Sequence, residues 1–145
     1  MKQFLFAILS ALLFASCGQK ENSQVDGGLC YSDIYILVGD ELKDAQDYTV
    51  NLQTSGSEVD LRVVYPEPNS VYDRLSVHPG NTVSPDIVAK VLDDEETYEK
   101  GYYVRTLRIS AGKNDSGKQR KSEYVVIAHA LDGYAANICV VQAKE

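Results

Sequence analysis

Apolar and polar residues alternate along most of the chain beyond residue 33, which is the pattern of strands with one buried face. The alternation is clear over residues 48–53, 59–65 and 103–109. It returns near the end of the chain in residues 124–130 and 136–142. Each stretch has the length of a single strand, so the pattern predicts an all-β domain.

Residues typical of turns separate these stretches. Ser55-Gly56-Ser57 and Pro79-Gly80-Asn81 follow predicted strands, and residues 112–118 read GKNDSGK. Pro66 and Pro68 end another strand, because proline has no backbone N–H to donate to a neighbouring strand. Short strands at this spacing predict an antiparallel β-sandwich. Residues 85–92 fit either a helical turn or a strand.

The alternation also predicts which side chains fill the space between the two sheets. The apolar residues that share a parity within each strand form this set. They are Val50, Leu52, Leu61, Val63, Leu75, Val77, Leu107, Ile109, Val126, Ile138 and Val140.

Residues 1–16 have the features of a secretory signal peptide. Lys2 precedes an apolar run from Phe4 to Ala15, which is too short to cross a bilayer as a helix. Small residues then lead directly into Cys17, as in the lipobox of bacterial lipoproteins. We expect a signal peptide at 1–16, lipid attachment at Cys17, a flexible tether over 17–28 and a single domain over 29–145. Gly18 rather than Asp after Cys17 resembles the sorting signal of outer-membrane lipoproteins, which implies an outer-membrane location with the domain facing the periplasm or the cell surface.

Charge and composition argue against several classes of function. The net charge is −7, which opposes binding to nucleic acid. The only histidines, His78 and His129, lie in no motif for nucleophilic catalysis. The acidic run 93–96 lacks the spacing of a calcium-binding EF-hand loop. We therefore expect no catalysis, no metal site and no cofactor.

Two cysteines remain once Cys17 is assigned to the lipid. Cys30 and Cys139 lie at opposite ends of the domain, and an exported protein matures in an oxidising compartment. A disulfide between them is one interpretation. Two separate thiols are the other, since cysteine also packs well as a small apolar residue.

The second half of the chain resembles a known domain family. DRLSVHPG at 73–80, LRISAGKN at 107–114, RKSEYVVIAHA at 120–130 and ANICVVQA at 136–143 resemble, in order and spacing, the BACON domain of Bacteroidetes surface proteins. The positions that carry the resemblance are Leu75, Ser76, Val77, Asn114, Arg120, Val140 and Gln142. The resemblance implies an Ig-like sandwich with a non-catalytic accessory role, for which carbohydrate binding has been proposed.

Tyrosine is the main aromatic residue of the predicted domain. The chain has ten tyrosines and no tryptophan, and its three phenylalanines all lie within residues 1–16. Tyr103 shares the parity of the predicted core, whereas Tyr98 and Tyr102 are the expected surface pair, with Arg105 as a nearby donor. Two functions remain open: binding a glycan or docking an outer-membrane partner through these residues, or serving as a structural spacer without a ligand.

Overall fold

The structure is a computed structural model that describes residues 33–68, 74–128 and 133–145, together with the backbone of two short strands at 24–25 and 29–30. Strands and turns make up this described part, in which no helix occurs. The predicted signal peptide and Cys17 lie outside the described residues, and so does the side chain of Cys30. Nothing within the described part forms a helix long and apolar enough to cross a membrane.

In the described part of the chain, twelve strands form two sheets, and the alternating stretches of the sequence supply five of them. In chain order they are β1 (Gln24–Val25), β2 (Leu29–Cys30), β3 (Tyr35–Val38), β4 (Glu41–Asp44), β5 (Tyr48–Leu52), β6 (Ser57–Pro66), β7 (Ser76–Pro79), β8 (Ile87–Val91), β9 (Glu96–Glu99), β10 (Tyr102–Ala111), β11 (Arg120–Ala128) and β12 (Tyr134–Gln142).

The first sheet has the order β1-β2-β12-β11-β7, with β5 also paired to β12. The second sheet has the order β4-β3-β6-β10-β8, with β9 also paired to β10. Each sheet has one face toward the shared core, here called the inner face, and one outer face. The predicted all-β sandwich is therefore confirmed.

One feature of the pairing differs from the predicted antiparallel arrangement. The last strand, β12, runs antiparallel to β11 but parallel to both β5 and β2. Alternation within a strand shows which side chains face inward, but it carries no information about the direction of the neighbouring strand. The sandwich is therefore mixed, although most of its pairs are antiparallel.

The predicted core is almost fully confirmed. Every residue of the predicted set is buried between the sheets except Val77, which packs partly buried against the same cluster. The structure adds large residues that the prediction omitted, among them Ile34, Ile36 and Tyr65, each no more than 1% exposed. They have the parity of the core-facing positions along their segments, so alternation also accounts for their burial.

The structure decides the open interpretation of residues 85–92 and adds strands that the sequence did not predict. Ile87–Val91 is a strand, because it pairs with residues 107–111 of β10. The strands at 41–44 and 96–99 have mostly charged or polar residues at the edges of the second sheet, so they lack an apolar alternation. Charged edges of this kind discourage pairing with other chains. Gln24–Val25, within the predicted tether, pairs with Leu29–Cys30.

A buried polar cluster closes one end of the sandwich. The side chain of Gln142 is fully buried, and its amide donates to the carbonyls of Gln53 and Gly112 at 2.9 and 2.8 Å. Arg120 donates to the other end of the same side chain at 3.1 Å. Asn114, also fully buried, donates to backbone carbonyls at both Lys118 and Ala143. Three residues quoted for the family resemblance thus form this cluster, where they hold turns and strand ends together.

Candidate functional site

The predicted surface donor Arg105 lies inside the fold, which corrects the predicted site. It is only 8% exposed, and its Nε donates to the carbonyl of Leu92 at 2.9 Å. A terminal nitrogen reaches Asp93 at 3.4 Å. The reason is parity: Arg105 shares the inner face of β10 with Leu107, whereas Tyr102 lies on the outer face. The two side chains therefore do not meet in one site.

The three tyrosines near this strand take different positions. Tyr103 packs partly buried against the core, as predicted, with its ring centroid 6.5 Å from that of Tyr65. Tyr102 is half-buried on the outer face. Tyr98 is also half-buried, and it has no cross-strand partner because a bulge between Tyr102 and Tyr103 interrupts the pairing of β9 with β10. Because the register shifts here, alternation along β9 does not assign Tyr98 to the face that carries Tyr102.

A tyrosine that the sequence reasoning missed lies near Tyr102. Tyr35 pairs with Val64 of β6, which in turn pairs with Val104 of β10, two residues from Tyr102. All four residues belong to the outer face of the second sheet, and we call this group the tyrosine face. Burial raises the pKa of Tyr35, and Asp33 and the nearby phenol of Tyr102 act in the same direction.

The apolar floor of the tyrosine face is well covered. Val64 and Val104 are 1% and 3% exposed although they lie on an outer face, while the two tyrosines are half-buried. The alternation of Tyr35 with Ile36 was a signal for the outward direction of Tyr35. Its nearness to Tyr102 depends on the pairing of strands far apart in the sequence, which no local pattern contains.

Charged side chains border the tyrosine face on the same outer surface. Arg62 contacts Asp94 at 3.2 Å and also forms an ion pair with Glu96. The backbone N–H of Thr106 donates to Asp94 at 2.9 Å, and its hydroxyl donates to the same carboxylate. Burial alone would raise the pKa of Asp94, but these hydrogen bonds and the charge of Arg62 outweigh it and lower the pKa.

The acidic residues 93–96 are tied to arginines and to a tyrosine. Arg74 lies 3.7 Å from both Asp93 and Glu95. The buried hydroxyl of Tyr65 donates to Glu95, and burial together with this bond raises the pKa of Tyr65 far above its ordinary value. Across residues 33–68, 74–128 and 133–145, no three His, Cys, Asp or Glu side chains are grouped as metal ligands would be.

The outer face of the first sheet carries a second concave feature. A cavity of about 310 Å³ lies over β5, β11 and β12, and we call it the polar cavity. It is lined by Asp47, Thr49, Lys121, Glu123, Asn137, Ile138 and Cys139. Its position on the opposite sheet separates it from the tyrosine face.

Cys139 is a free, half-buried thiol in this cavity. The residue that pairs with Cys30 is Tyr134, five positions from Cys139 on the same strand. At about 3.3 Å per strand residue, this separation is roughly 16 Å, whereas the Cα atoms of a disulfide lie within about 7 Å. The structure therefore does not contain the disulfide between Cys30 and Cys139. Cys139 is instead a free thiol, which was the other interpretation.

A serine and a histidine are in contact at the edge of the first sheet. The hydroxyl of Ser76 lies 3.0 Å from Nε2 of His78, and both residues belong to β7. They are two positions apart, so they share a face of the strand. His78 is exposed to solvent on this edge strand.

Comparison with known proteins assigns neither a family nor a function to the chain. No family model matches the sequence, and no curated protein matches it. Among solved structures, the chain is similar to a Bacteroides ovatus GH5 xyloglucanase in complex with a XXXG heptasaccharide, with a TM-score of 0.45 and 10% sequence identity. The similarity covers 76% of this chain and 19% of that chain. A similarity at this level supports no inference about activity.

Proposed function

We propose that the chain is an outer-membrane lipoprotein with a non-catalytic domain that binds a glycan on the tyrosine face. The observation that carries the proposal is the placement of Tyr35 and Tyr102 on one outer face over the buried Val64 and Val104. Tyrosine rings present a flat apolar surface with a polar hydroxyl at one end. This combination suits the alternately apolar and hydroxylated surface of a sugar.

The border of the tyrosine face supplies the polar part of such a site. The side chains of Arg62 and Glu96 lie beside it, and Glu99 pairs directly with Tyr102 across the strands. A few well-placed polar groups around an apolar floor are typical of sites that recognise small polar ligands. Because Arg62 is already fixed by Asp94 and Glu96, these groups are oriented before a ligand arrives.

The membrane part of the proposal rests on the sequence. The apolar segment before Cys17 supports export and lipid attachment, and the polar residues 18–23, which precede the first strand, support a spacer between membrane and domain that is shorter than the predicted tether over 17–28. Together with the resemblance to the BACON domain, these features support an accessory protein of a glycan-handling system at the outer membrane.

The experiment compares the wild-type protein with variants of the tyrosine face on glycan arrays. We expect a Tyr35→Ala, Tyr102→Ala double variant to keep its far-UV circular dichroism spectrum and to lose the glycans that the wild type retains. Tyr98→Ala, combined with Tyr102→Ala, tests the pair expected from the sequence. Val88→Ala is the control, because Val88 is 56% exposed on the same outer face near its other end.

Three results would overturn the proposal. In the first, the wild type retains no glycan but captures an outer-membrane protein in pull-downs, so that the tyrosine face docks a partner. In the second, it binds neither, which leaves the domain as a structural spacer. Equal glycan binding by the wild type and the double variant would exclude the tyrosine face as the site.

A further inference from the structure

The polar cavity has a simple origin in the pairing of three strands. Glu123, Cys139 and Thr49 are neighbours in one row across β11, β12 and β5, all on the outer face. The side chains of Cys139 and Thr49 are small, whereas those of Glu123 and Lys121 on β11 are long. A short side chain beside longer ones leaves a depression, and the cavity of about 310 Å³ lies there.

Asn137 lies at the floor of the cavity, and hydrogen bonds of its backbone hold it in place without using its side-chain amide. The backbone N–H of Asn137 donates to Gln46 at 2.9 Å, and its carbonyl accepts from the N–H of Asp47 at 2.7 Å. Among the described residues, no hydrogen bond occupies the side-chain amide of Asn137 or the thiol of Cys139. The floor is therefore fixed, while its amide remains available to a ligand.

The charges of the lining favour a ligand without net charge. Asp47 and Glu123 are acidic, and the ammonium group of Lys121 lies 3.3 Å from Glu123. An anion would meet two carboxylates, and the nearest cation is already paired. Carboxylate oxygens accept hydrogen bonds from hydroxyl groups, and the amide of Asn137 both donates and accepts. Thr49 adds a hydroxyl group.

We propose that the polar cavity is a second binding site, which takes one ring of a neutral polyhydroxylated ligand such as a single sugar residue. Its volume is at the lower end of the range for ligand pockets, about 300–1,000 Å³. The lining holds no aromatic side chain, so recognition there proceeds through hydrogen bonds. The site goes beyond the proposed function, because it lies on the opposite sheet and does not depend on the tyrosine face.

Cys139 provides a direct measurement of occupancy. The full-length protein is treated with iodoacetamide in the presence of glucose, galactose, mannose or xylose, and the alkylation rate of Cys139 is followed by peptide mass spectrometry. A sugar that fills the cavity shields the thiol. At a concentration of about four times Kd, mass action predicts about fivefold slower alkylation. The effect should saturate with concentration.

Matched variants locate the effect. Asn137→Ala removes the amide of the floor and should abolish protection. Asn51→Ala removes the same group from an exposed position on β5, outside the lining, and should retain protection. Cys139→Leu should fill the cavity. When it is combined with Tyr35→Ala and Tyr102→Ala, which remove the tyrosine face, saturation-transfer NMR should detect no bound sugar. Far-UV circular dichroism confirms that each variant is folded.

The outcomes separate this proposal from the proposed function. Tyr102→Ala should lose binding on the glycan array and keep sugar protection of Cys139. If none of the four sugars slows alkylation while array binding persists, the second site is refuted alone. Equal protection in Asn137→Ala and in the wild type would also refute it, because the sugar would then act elsewhere.

Discussion

The position of Arg105 leads to a prediction that separates a structural role from a binding role. Its charged Nε donates to the buried carbonyl of Leu92, and a hydrogen bond to a charged group contributes about 1.5–3 kcal/mol. The contact with Asp93 adds little, because the carboxylate side chain of Asp93 is 90% exposed. Truncation also removes the packing of the aliphatic stem, at about 0.8 kcal/mol for each buried methylene. We expect Arg105→Ala to lower the free energy of unfolding by about 2–4 kcal/mol.

The assay is urea unfolding followed by far-UV circular dichroism and tyrosine fluorescence, since the chain has no tryptophan. Arg108→Ala is the matched control on the same strand. Arg108 lies on the outer face, where both oxygens of Asp60 accept its hydrogen bonds at 2.8 Å. Its side chain is 40% exposed, so its removal should shift the urea midpoint much less. An Arg105→Ala protein that unfolds like the wild type but loses glycan binding would refute the inward orientation.

Three further predictions concern the core, acid stability and the anchor. Leu107→Ala should lower the free energy of unfolding by about 2–5 kcal/mol, because Leu107 is fully buried. Leu42→Ala is the control, and it should cost far less because Leu42 is 42% exposed. Equal urea midpoints for the two variants would contradict the sandwich core. The lowered pKa of Asp94 means that its contribution to stability is present above the ordinary pKa of a carboxyl group and is lost as the pH falls through the lowered value. As the pH is lowered beyond about 4, the urea midpoint of the wild type should therefore decrease, and that of Asp94→Asn should decrease less steeply. Parallel profiles of urea midpoint against pH for the two proteins would exclude this role of Asp94. Cys17→Ala should release the protein from membranes of the native host, and retention after a salt wash would contradict lipid attachment.

Local patterns in the sequence were sufficient for the longest strands and for most of the core. Residues 59–65 and 103–109 alternate except at Val64, Val104 and Arg105, and the structure buries their predicted core members. The strands at 41–44 and 96–99 were missed because edge strands exposed to solvent need no apolar face. The parallel pairing of β5 with β12 depends on contacts between distant segments, which alternation does not encode.

The site was harder to predict than the fold for the same physical reason. Alternation along β10 puts Arg105 on the inner face and Tyr102 on the outer face. Applying this rule to both residues would have removed Arg105 from the predicted site. The pairing of β3 with β6 and of β6 with β10, which brings Tyr35 toward Tyr102, was beyond local reasoning. The polar cavity likewise arises from three strands whose order follows from the topology.

The central claim, glycan binding on the tyrosine face, is tested most directly by NMR of protein labelled with ¹³C on its tyrosine rings. The protein is titrated with each glycan that the array retains. We predict shifts of the Tyr35 and Tyr102 signals that saturate with concentration, while the signals of Tyr65 and Tyr124, which are buried in the core, stay in place. Signals of Tyr35 and Tyr102 that do not move during a titration that saturates binding would contradict the claim.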